Sequence, residues 1–361
     1  MDIIPLDIFN EIFLLCDFLT KIRFRQICKY AYKNLHIIDF YCIEEKYLLK
    51  LTDNILENHK FIKYLNASDN PYIKEVNWMK NLKELNASGR YCGINQLRIT
   101  GLNFIKLNVY NNPNIKDISW MKNLKELNAS GSGCGIDQIG ITGLNLIKLG
   151  AYNNPNIKDI SWMKNLKELN ASFSCGIDQL GIKDLNLIKF DAKNNTKIRD
   201  ISWMKNLKEL NASWDSGIDQ LGINELNLIK FDTNNNSKIR NVSWMLNLKE
   251  LDACGDSVIY INGLNLTNLN CCNNMNIKDV SWMKNLKKLD ASGCCGIDQL
   301  GIKGLDLIEL KAWNNPKIKD VSWMKNLKEL NACGNSGIDQ LGINELNLIK
   351  LDALHNKKIK R

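Results

Sequence analysis

The chain has 361 residues, 45% hydrophobic and 24% charged, an ordinary balance that excludes wholesale disorder. Its net charge of +9 is diluted over the chain: residues 1–60 hold nine acids and eight Lys/Arg, and no basic run precedes Lys357, Lys358, Lys360 and Arg361, so no nucleic-acid footprint is expected. The longest apolar run, residues 12–16, falls far short of the roughly 20 residues that span a bilayer, so no membrane partner is expected.

No basic stretch precedes an apolar one at the start, so no signal peptide is expected. The twelve cysteines form no C-x-x-C pair, and reduced thiols in a cytosolic or nuclear protein follow as the default. His36, His59 and His355 lie far apart, which disfavours His-based metal sites and triads. No nucleophile–base pair, phosphate loop or ligand cluster stands out, so neither an enzyme nor a cofactor is expected. Gly131-Ser-Gly133 sits in a repeat turn, without the strand–helix context of a nucleotide site.

The first sixty residues differ from the rest. Ile4-Pro5-Leu6-Asp7-Ile8 precedes Ile12, Phe13 and Leu15 at helical spacing, and Pro suits a first helical turn because its missing N–H is not needed there. Phe18-Leu19 and the segment 22–29 follow, with Ile27 and Cys28 near its end. Periodicity alone gives an amphipathic helix with apolar residues to bury.

From residue 61 the sequence is periodic. Trp recurs at 78, 120, 162, 203, 244, 282 and 323 within W-M-K-N-L-K-E-L-N-A-S or a close variant. Each interval holds a second related block, so the unit is about half the Trp spacing, and fifteen units fit L-x-x-L-x-(small)-x-x-(N)-x-x-I. Type A units carry K-E-L-N-A-S. Type B units close on Asn70, Asn112, Asn154, Asn195, Asn236, Asn274, Asn315 and Asn356. One unit of about 20 residues cannot bury its own apolar face, but stacked units share a core. Positions 1, 4 and 6 (Leu146, Leu149, Ala151) point inward, and the residues between them point outward. The Asn at position 9 bonds to backbone of the turn and of neighbouring coils. Cys134, Cys175 and Cys295 read as small buried hydrophobes. The repeat Trp pack at the edge of the core, and the sequence leaves open whether Trp162 or Met163 faces inward. The unit starting at Leu248 has eighteen residues and lacks I-D-Q-L-G-I; a local kink is expected there.

Over residues 61–359 this pattern resembles the leucine-rich repeat family, most closely its internalin-like short units. The resemblance implies a curved α/β solenoid with parallel strands on its concave face, and an asparagine ladder. Position 6 departs from the family in being Ala more often than Leu. The opening segment resembles an F-box, with Pro5, Ile8, Ile12, Phe13, Ile27, Cys28 and Lys29 in register; Ile4, Asp7 and the absence of Trp after Lys29 depart from the pattern. An F-box implies that Pro5, Ile8, Ile12, Phe13, Leu15, Ile27 and Cys28 meet a Skp-type adaptor, and through it a cullin-RING ubiquitin ligase. The organisation expected is an F-box-like helical domain at 1–40, a linker and cap at 41–60, and the solenoid at 61–361. The alternative for the opening helices is a cap over the first coil, and both roles are compatible.

Outward residues suggest where a target binds. Position 3 alternates in charge from Glu84 to Glu250, which reads as a cross-strand ladder, each exposed pair contributing ~0–1 kcal/mol. Position 7 varies most, and Phe173 and Trp214 replace Gly at position 8. Exposed aromatics on a rigid sheet are binding anchors, which selects Tyr110, Tyr152, Phe173, Trp214 and Trp313; drift in a duplicated array is the other reading. The function that follows is a non-catalytic, substrate-recruiting ligase subunit, monomeric outside its complex. Its compartment would be the cytoplasm (the host's, if the chain is viral) or the nucleus. The alternative is a protein-binding repeat scaffold with no ligase linkage.

Overall fold

A computed structural model describes residues 6–255, 257 and 259–360, with side chains from residue 11 onward. Two compact units divide the chain, Met1–Leu166 and Lys167–Arg361.

The first unit opens with three helices, α1 (Leu6–Leu15), α2 (Phe18–Gln26) and α3 (Lys29–Asn34). Asp17 starts α2: its carboxylate accepts from the Thr20 amide at 2.9 Å and from the Thr20 hydroxyl at 2.8 Å, filling one of the donors a helix start leaves unpaired. Six short strands follow as consecutive parallel neighbours: β1 (Asp39–Phe40), β2 (Tyr64–Asn66), β3 (Glu84–Asn86), β4 (Lys106–Asn108), β5 (Glu126–Asn128) and β6 (Lys148–Gly150). The second unit continues in the same manner with β7 (Glu168–Asn170), β8 (Lys189–Asp191), β9 (Glu209–Asn211), β10 (Lys230–Asp232), β11 (Glu250–Asp252), β12 (Asn268–Asn270), β13 (Lys288–Asp290), β14 (Glu309–Lys311), β15 (Glu329–Asn331) and β16 (Lys350–Asp352). Every strand from β7 to β16 pairs with its sequence neighbour in parallel. The architecture is a parallel-strand β-solenoid built from leucine-rich coils. The limbs returning from strand to strand hold little helix, chiefly one turn at Gln96–Ile99 and a 3-10 turn at Ile139–Ile141, because twenty residues leave no room for more.

The inward positions behave as the pattern requires. Leu146, Leu149 and Ala151 are buried, as are their counterparts along both units, and each buried Leu stabilises by roughly 1.5–3 kcal/mol relative to exposure. The asparagine ladder is present in full. Asn112 Nδ2 donates to the carbonyls of Ala87 (2.7 Å) and Ile94 (3.3 Å), while its Oδ1 accepts from the Asn114 amide at 2.8 Å. Asn195, Asn236, Asn315 and Asn356 repeat that arrangement in the second unit. The side chains thus satisfy buried carbonyls that the short strands leave unpaired. Of each Trp–Met pair, Met faces inward: Met163 is fully buried and Trp162 half-buried, its indole N–H donating to Leu144 O at 2.9 Å.

Two findings modify the sequence reading. β1 joins the sheet ahead of the first recognised repeat, with Asp39 opposite Tyr64 and Phe40 opposite Leu65. Asn70 then donates to Leu48 O and Leu51 O, so residues 37–60 form a degenerate coil that takes in the segment expected as linker and cap together with the end of the expected F-box-like domain. In the short unit, strand register continues unbroken, Glu250 facing Asn268 and Leu251 facing Leu269. The missing residues are felt on the opposite, turn-bearing side.

Candidate functional site

The helical segment is anchored on one side and open on the other. From α2, Phe18 packs edge-on against Phe40 of β1, ring centroids 5.6 Å apart. Arg25 is buried beside His59, Nη1 to Nε2 2.8 Å, and its Nη2 donates to Tyr32 O at 2.8 Å. His59 Nδ1 accepts from the Ile37 amide at 3.1 Å. Burial, then the guanidinium and His36, push His59 down to about 3, so the ring is neutral at pH 7 and its one lone pair, on Nδ1, is shared by the Ile37 amide and, at 3.2 Å, Arg25 Nη1. Away from this anchor, apolar side chains face solvent: Ile12, Leu14, Leu15 (88% exposed), Ile27 (67%) and Tyr30; Tyr32 is exposed too, with its ring against the Arg25 guanidinium at 4.8 Å.

Of the residues the F-box resemblance selects, Ile12, Leu15, Ile27 and Cys28 are exposed. Phe13 is a correction: it is buried, stacked edge-on with Phe24 at 6.4 Å, and belongs to the interior of the helical segment rather than to its surface. Cys28 also starts α3, its Sγ accepting from the Ala31 amide at 3.4 Å. Ile8 lies in α1 with its side chain outside the described residues, as does the whole of Pro5. Leu14, Tyr30 and Tyr32 were not selected from sequence, although Leu14 stands between two residues that drew attention.

The strand face carries three columns of distinct chemistry. At position 3 the charges pair across strands, Lys106–Glu126 at 3.4 Å in the first unit and Lys189–Glu209 (2.8 Å), Lys230–Glu250 (3.0 Å) and Lys288–Glu309 (3.1 Å) in the second. At position 5 the units differ. The first unit has Asn66, Asn86, Asn108 and Asn128, each Oδ1 accepting from the amide two residues on. In the second unit Asp191, Asp232, Asp252 and Asp290 make the same bond, interspersed with Asn170, Asn211, Asn270 and Asn331. Since Asn suffices for the local turn, the carboxylate charge is surplus to folding. Burial pushes Asp191, Asp232 and Asp252 above the usual carboxylate range. The stretch from β10 to β14 forms a shallow depression of about 390 Å³ with Asp232, Asp252 and Asp290 in its floor.

Position 8 takes the left-handed conformation in every coil from residue 62 onward. Asn or Gly fills it in most, but Phe173 (φ 59°) and Trp214 (φ 61°) hold it with bulky side chains, at a cost on the order of 1–2 kcal/mol each. Lys193 Nζ lies over both rings, 5.8 Å from the Phe173 centroid and 5.5 Å from that of Trp214, offsetting part of that cost. Phe173, Lys193 and Trp214 therefore form one group beside Asp191, a cation held between two rings at the edge of an acidic column. Trp313 is exposed on the same unit but follows β14, five strands from β9, roughly 24 Å away at the strand spacing. In the first unit Tyr110 is exposed and Tyr152 half-buried. The role of Lys193 was missed from sequence, since nothing local shows that its stem reaches two neighbouring coils.

All twelve cysteines are free. Burial pushes the Cys92, Cys134 and Cys175 thiols up to about 11, far from the thiolate that redox or metal chemistry uses. Among the described residues, no group of three or more His, Cys, Asp or Glu is placed to hold a metal ion. No helix of the described residues is long and apolar enough to cross a membrane.

A scan of protein-family models finds no match to this chain, and neither does a search of curated proteins. Solved structures do resemble it. An internalin, InlF of Listeria monocytogenes, is 17% identical with 86% of this chain and 85% of that one covered, at a TM-score of 0.44. The yeast Rad7–Elc1 complex gives 17% identity, 84% and 86% coverage and 0.43; the mouse RP105/MD-1 complex gives 12%, 90% and 68%, and 0.42. Internalins and RP105 are leucine-rich-repeat proteins. At such scores the assignment of the fold rests on the repeat geometry described above.

Proposed function

We propose that the chain is a non-catalytic recruiting subunit of a cullin-RING ubiquitin ligase, its opening helices binding a Skp-type adaptor and its strand face binding the target. The observation that carries this reading is the two-sidedness of the helical segment. Phe18 and Arg25 anchor α2 to the first coil, while Ile12, Leu14, Leu15, Ile27, Tyr30 and Tyr32 stay exposed within some twenty residues. A segment serving only as a cap would turn its apolar residues toward the stack; a cluster of this size facing solvent is the signature of a protein contact. For the target, the anchors are Phe173, Trp214 and Trp313, with Tyr110 and Tyr152 on the other unit. The partner is a protein, and the site of action is the cytoplasm, the host's if the chain is viral, or the nucleus.

The test is a titration of the full chain with a purified Skp-type adaptor, beside an Ile12→Asp/Leu15→Asp variant. Both residues are exposed, so the variant should fold. Micromolar binding by the parent and a loss of at least about 30-fold in the variant, some 2 kcal/mol, support the reading. No binding by the parent removes the ligase link. The chain would then be a protein-binding repeat scaffold whose helices cap the stack, a reading that the buried Arg25–His59 contact favours.

A further inference from the structure

In the coils of both units one side chain closes a gap between successive return limbs. Gln138 Oε1 accepts from the Lys158 and Asp159 amides, both at 2.9 Å, and its Nε2 donates to Asp159 O at 2.8 Å. Gln96, Gln179, Gln220 and Gln299 make the same three bonds to the next coil. Ahead of the first of them Asp53 substitutes, its carboxylate accepting from Lys74 and Glu75. The amide is thus a clip: one acceptor for two backbone N–H groups, one donor for a backbone carbonyl.

The short coil lacks this clip. Aligned on Ile259 and Ile261 as the counterparts of Ile218 and Ile223, it is missing the three residues that correspond to Asp219-Gln220-Leu221, between Ile259 and Tyr260. Among the described residues nothing accepts from the Lys278 or Asp279 amides and nothing donates to Asp279 O. The tryptophan of the coil that follows it is altered too. Trp120, Trp162, Trp203, Trp244 and Trp323 each donate an indole N–H to a carbonyl eighteen residues back. Trp78 and Trp282 make no such bond among the described residues; Trp78 is half-buried like the others, whereas Trp282 is 39% exposed. A cleft of about 350 Å³ opens at this place, lined by Ile259, Tyr260, Ile277, Lys278, Asp279 and Trp282.

The geometry points to this cleft as a docking site for a glutamine side chain of a partner protein, carried on an Asp-Gln turn like the one the coil has lost. The complementarity is that of the chain's own clips: two N–H groups and a carbonyl in the array a primary carboxamide matches, with an apolar aromatic rim from Tyr260 and Trp282. A carboxylate would satisfy the two donors but would set a second acceptor against Asp279 O, beside the Asp279 side chain. An aliphatic side chain would leave all three groups unpaired. The Asp before Gln adds pre-organisation, as Asp219 Oδ1 does by accepting from the Leu221 (2.9 Å) and Gly222 (3.0 Å) amides. This inference is independent of the adaptor reading, since the cleft lies in the second unit and needs no part of the helical segment.

The test titrates the full chain with labelled acetyl-Ile-Asp-Gln-Leu-Gly-Ile-amide and with versions carrying Gln→Leu or Gln→Glu. The Gln peptide should bind at least about tenfold more tightly than either, the equivalent of one well-made hydrogen bond. It should also slow hydrogen exchange at Lys278 and Asp279. A second arm inserts Asp-Gln-Leu between Ile259 and Tyr260, together with Tyr260→Gly, so that the chain fills its own cleft; that protein should lose peptide binding. Equal affinity for the three peptides, no binding at all by the parent, or full binding by a folded insertion variant would each overturn the proposal. Should the insertion prevent folding, the peptide series on the parent chain decides alone.

Discussion

Arg25 and His59 stand thirty-four residues apart in sequence and 2.8 Å apart in space, both buried, at the junction of α2 with the first coil. A guanidinium against an imidazole is tolerable only while the imidazole is neutral. The folded value near 3 lies below the ordinary 6.5 because of burial first and Arg25 second. Protons therefore bind the unfolded state preferentially. The stability that His59 contributes is complete above pH 6.5 and is lost progressively as pH falls toward 3. We expect a loss on the order of 5 kcal/mol across that window. A His59→Gln variant should be less stable at pH 7 but flatter in this window. Denaturant titrations at pH 7 and pH 4.5 measure the difference; parallel profiles for parent and variant would refute the assignment.

The second expectation concerns the ladder. Asn236 Nδ2 serves Ala212 O (2.7 Å) and Ile218 O (3.1 Å), and its Oδ1 serves the Lys238 amide (3.0 Å). Asn236→Ala should strip all three backbone groups in a site too buried for water to replace the side chain, costing about 2–4 kcal/mol. The change should appear as local loss of hydrogen-exchange protection at residues 212–238 before global unfolding.

Phe173 and Trp214 occupy backbone that glycine adopts without strain. Replacing both with Gly removes that strain and the two ring contacts to Lys193 that offset part of it. Thermal unfolding should move by less than about 3 °C. Capture of a strand-face partner should weaken at least about tenfold. Unchanged capture would remove the pair from the binding surface.

The aspartate column gives an expectation of opposite sign to that of His59. Burial raises Asp232, with neighbouring Asp252 adding to the effect, so the folded state holds its proton more tightly than the unfolded chain. Asp232 therefore opposes folding at neutral pH, and this penalty fades as pH falls through the raised value toward the ordinary one. Asp232→Asn keeps the turn bond to the Asn234 amide that Asn108 makes to Tyr110. It should raise the unfolding midpoint at pH 7 by about 2 °C and leave it unchanged at pH 3.5. A fall at pH 7 would mean that the carboxylate has a folding role.

Much of this was legible in the sequence because repetition averages out local ambiguity. Fifteen copies of one pattern set the strand register, the ladder and the alternating charges, and the solenoid realises each of them. What was not legible depends on single events. β1 escaped notice because residues 37–42 carry no L-x-x-L signature, and their coil is completed by long-range contacts from Asn70 and His59. Phe13 has the spacing of an exposed apolar residue, and only the position of Phe24 turns it inward. The Gln clip was visible as a recurring letter, but its meaning lies in the backbone of the following coil, which periodicity does not describe. Phe173, Trp214 and Trp313 stand exposed, yet the grouping of Phe173 and Trp214 around Lys193 depends on backbone of left-handed sign that the Gly-to-aromatic exchange conceals.

The central claim is that the opening helices hold the solenoid with one face and another protein with the other. Hydrogen–deuterium exchange of the full chain with and without a Skp-type adaptor tests it most directly. The account expects new protection confined to residues 11–32, with the coils from β2 onward unchanged. Protection confined to the strand face, or no change anywhere at saturating adaptor, would contradict it.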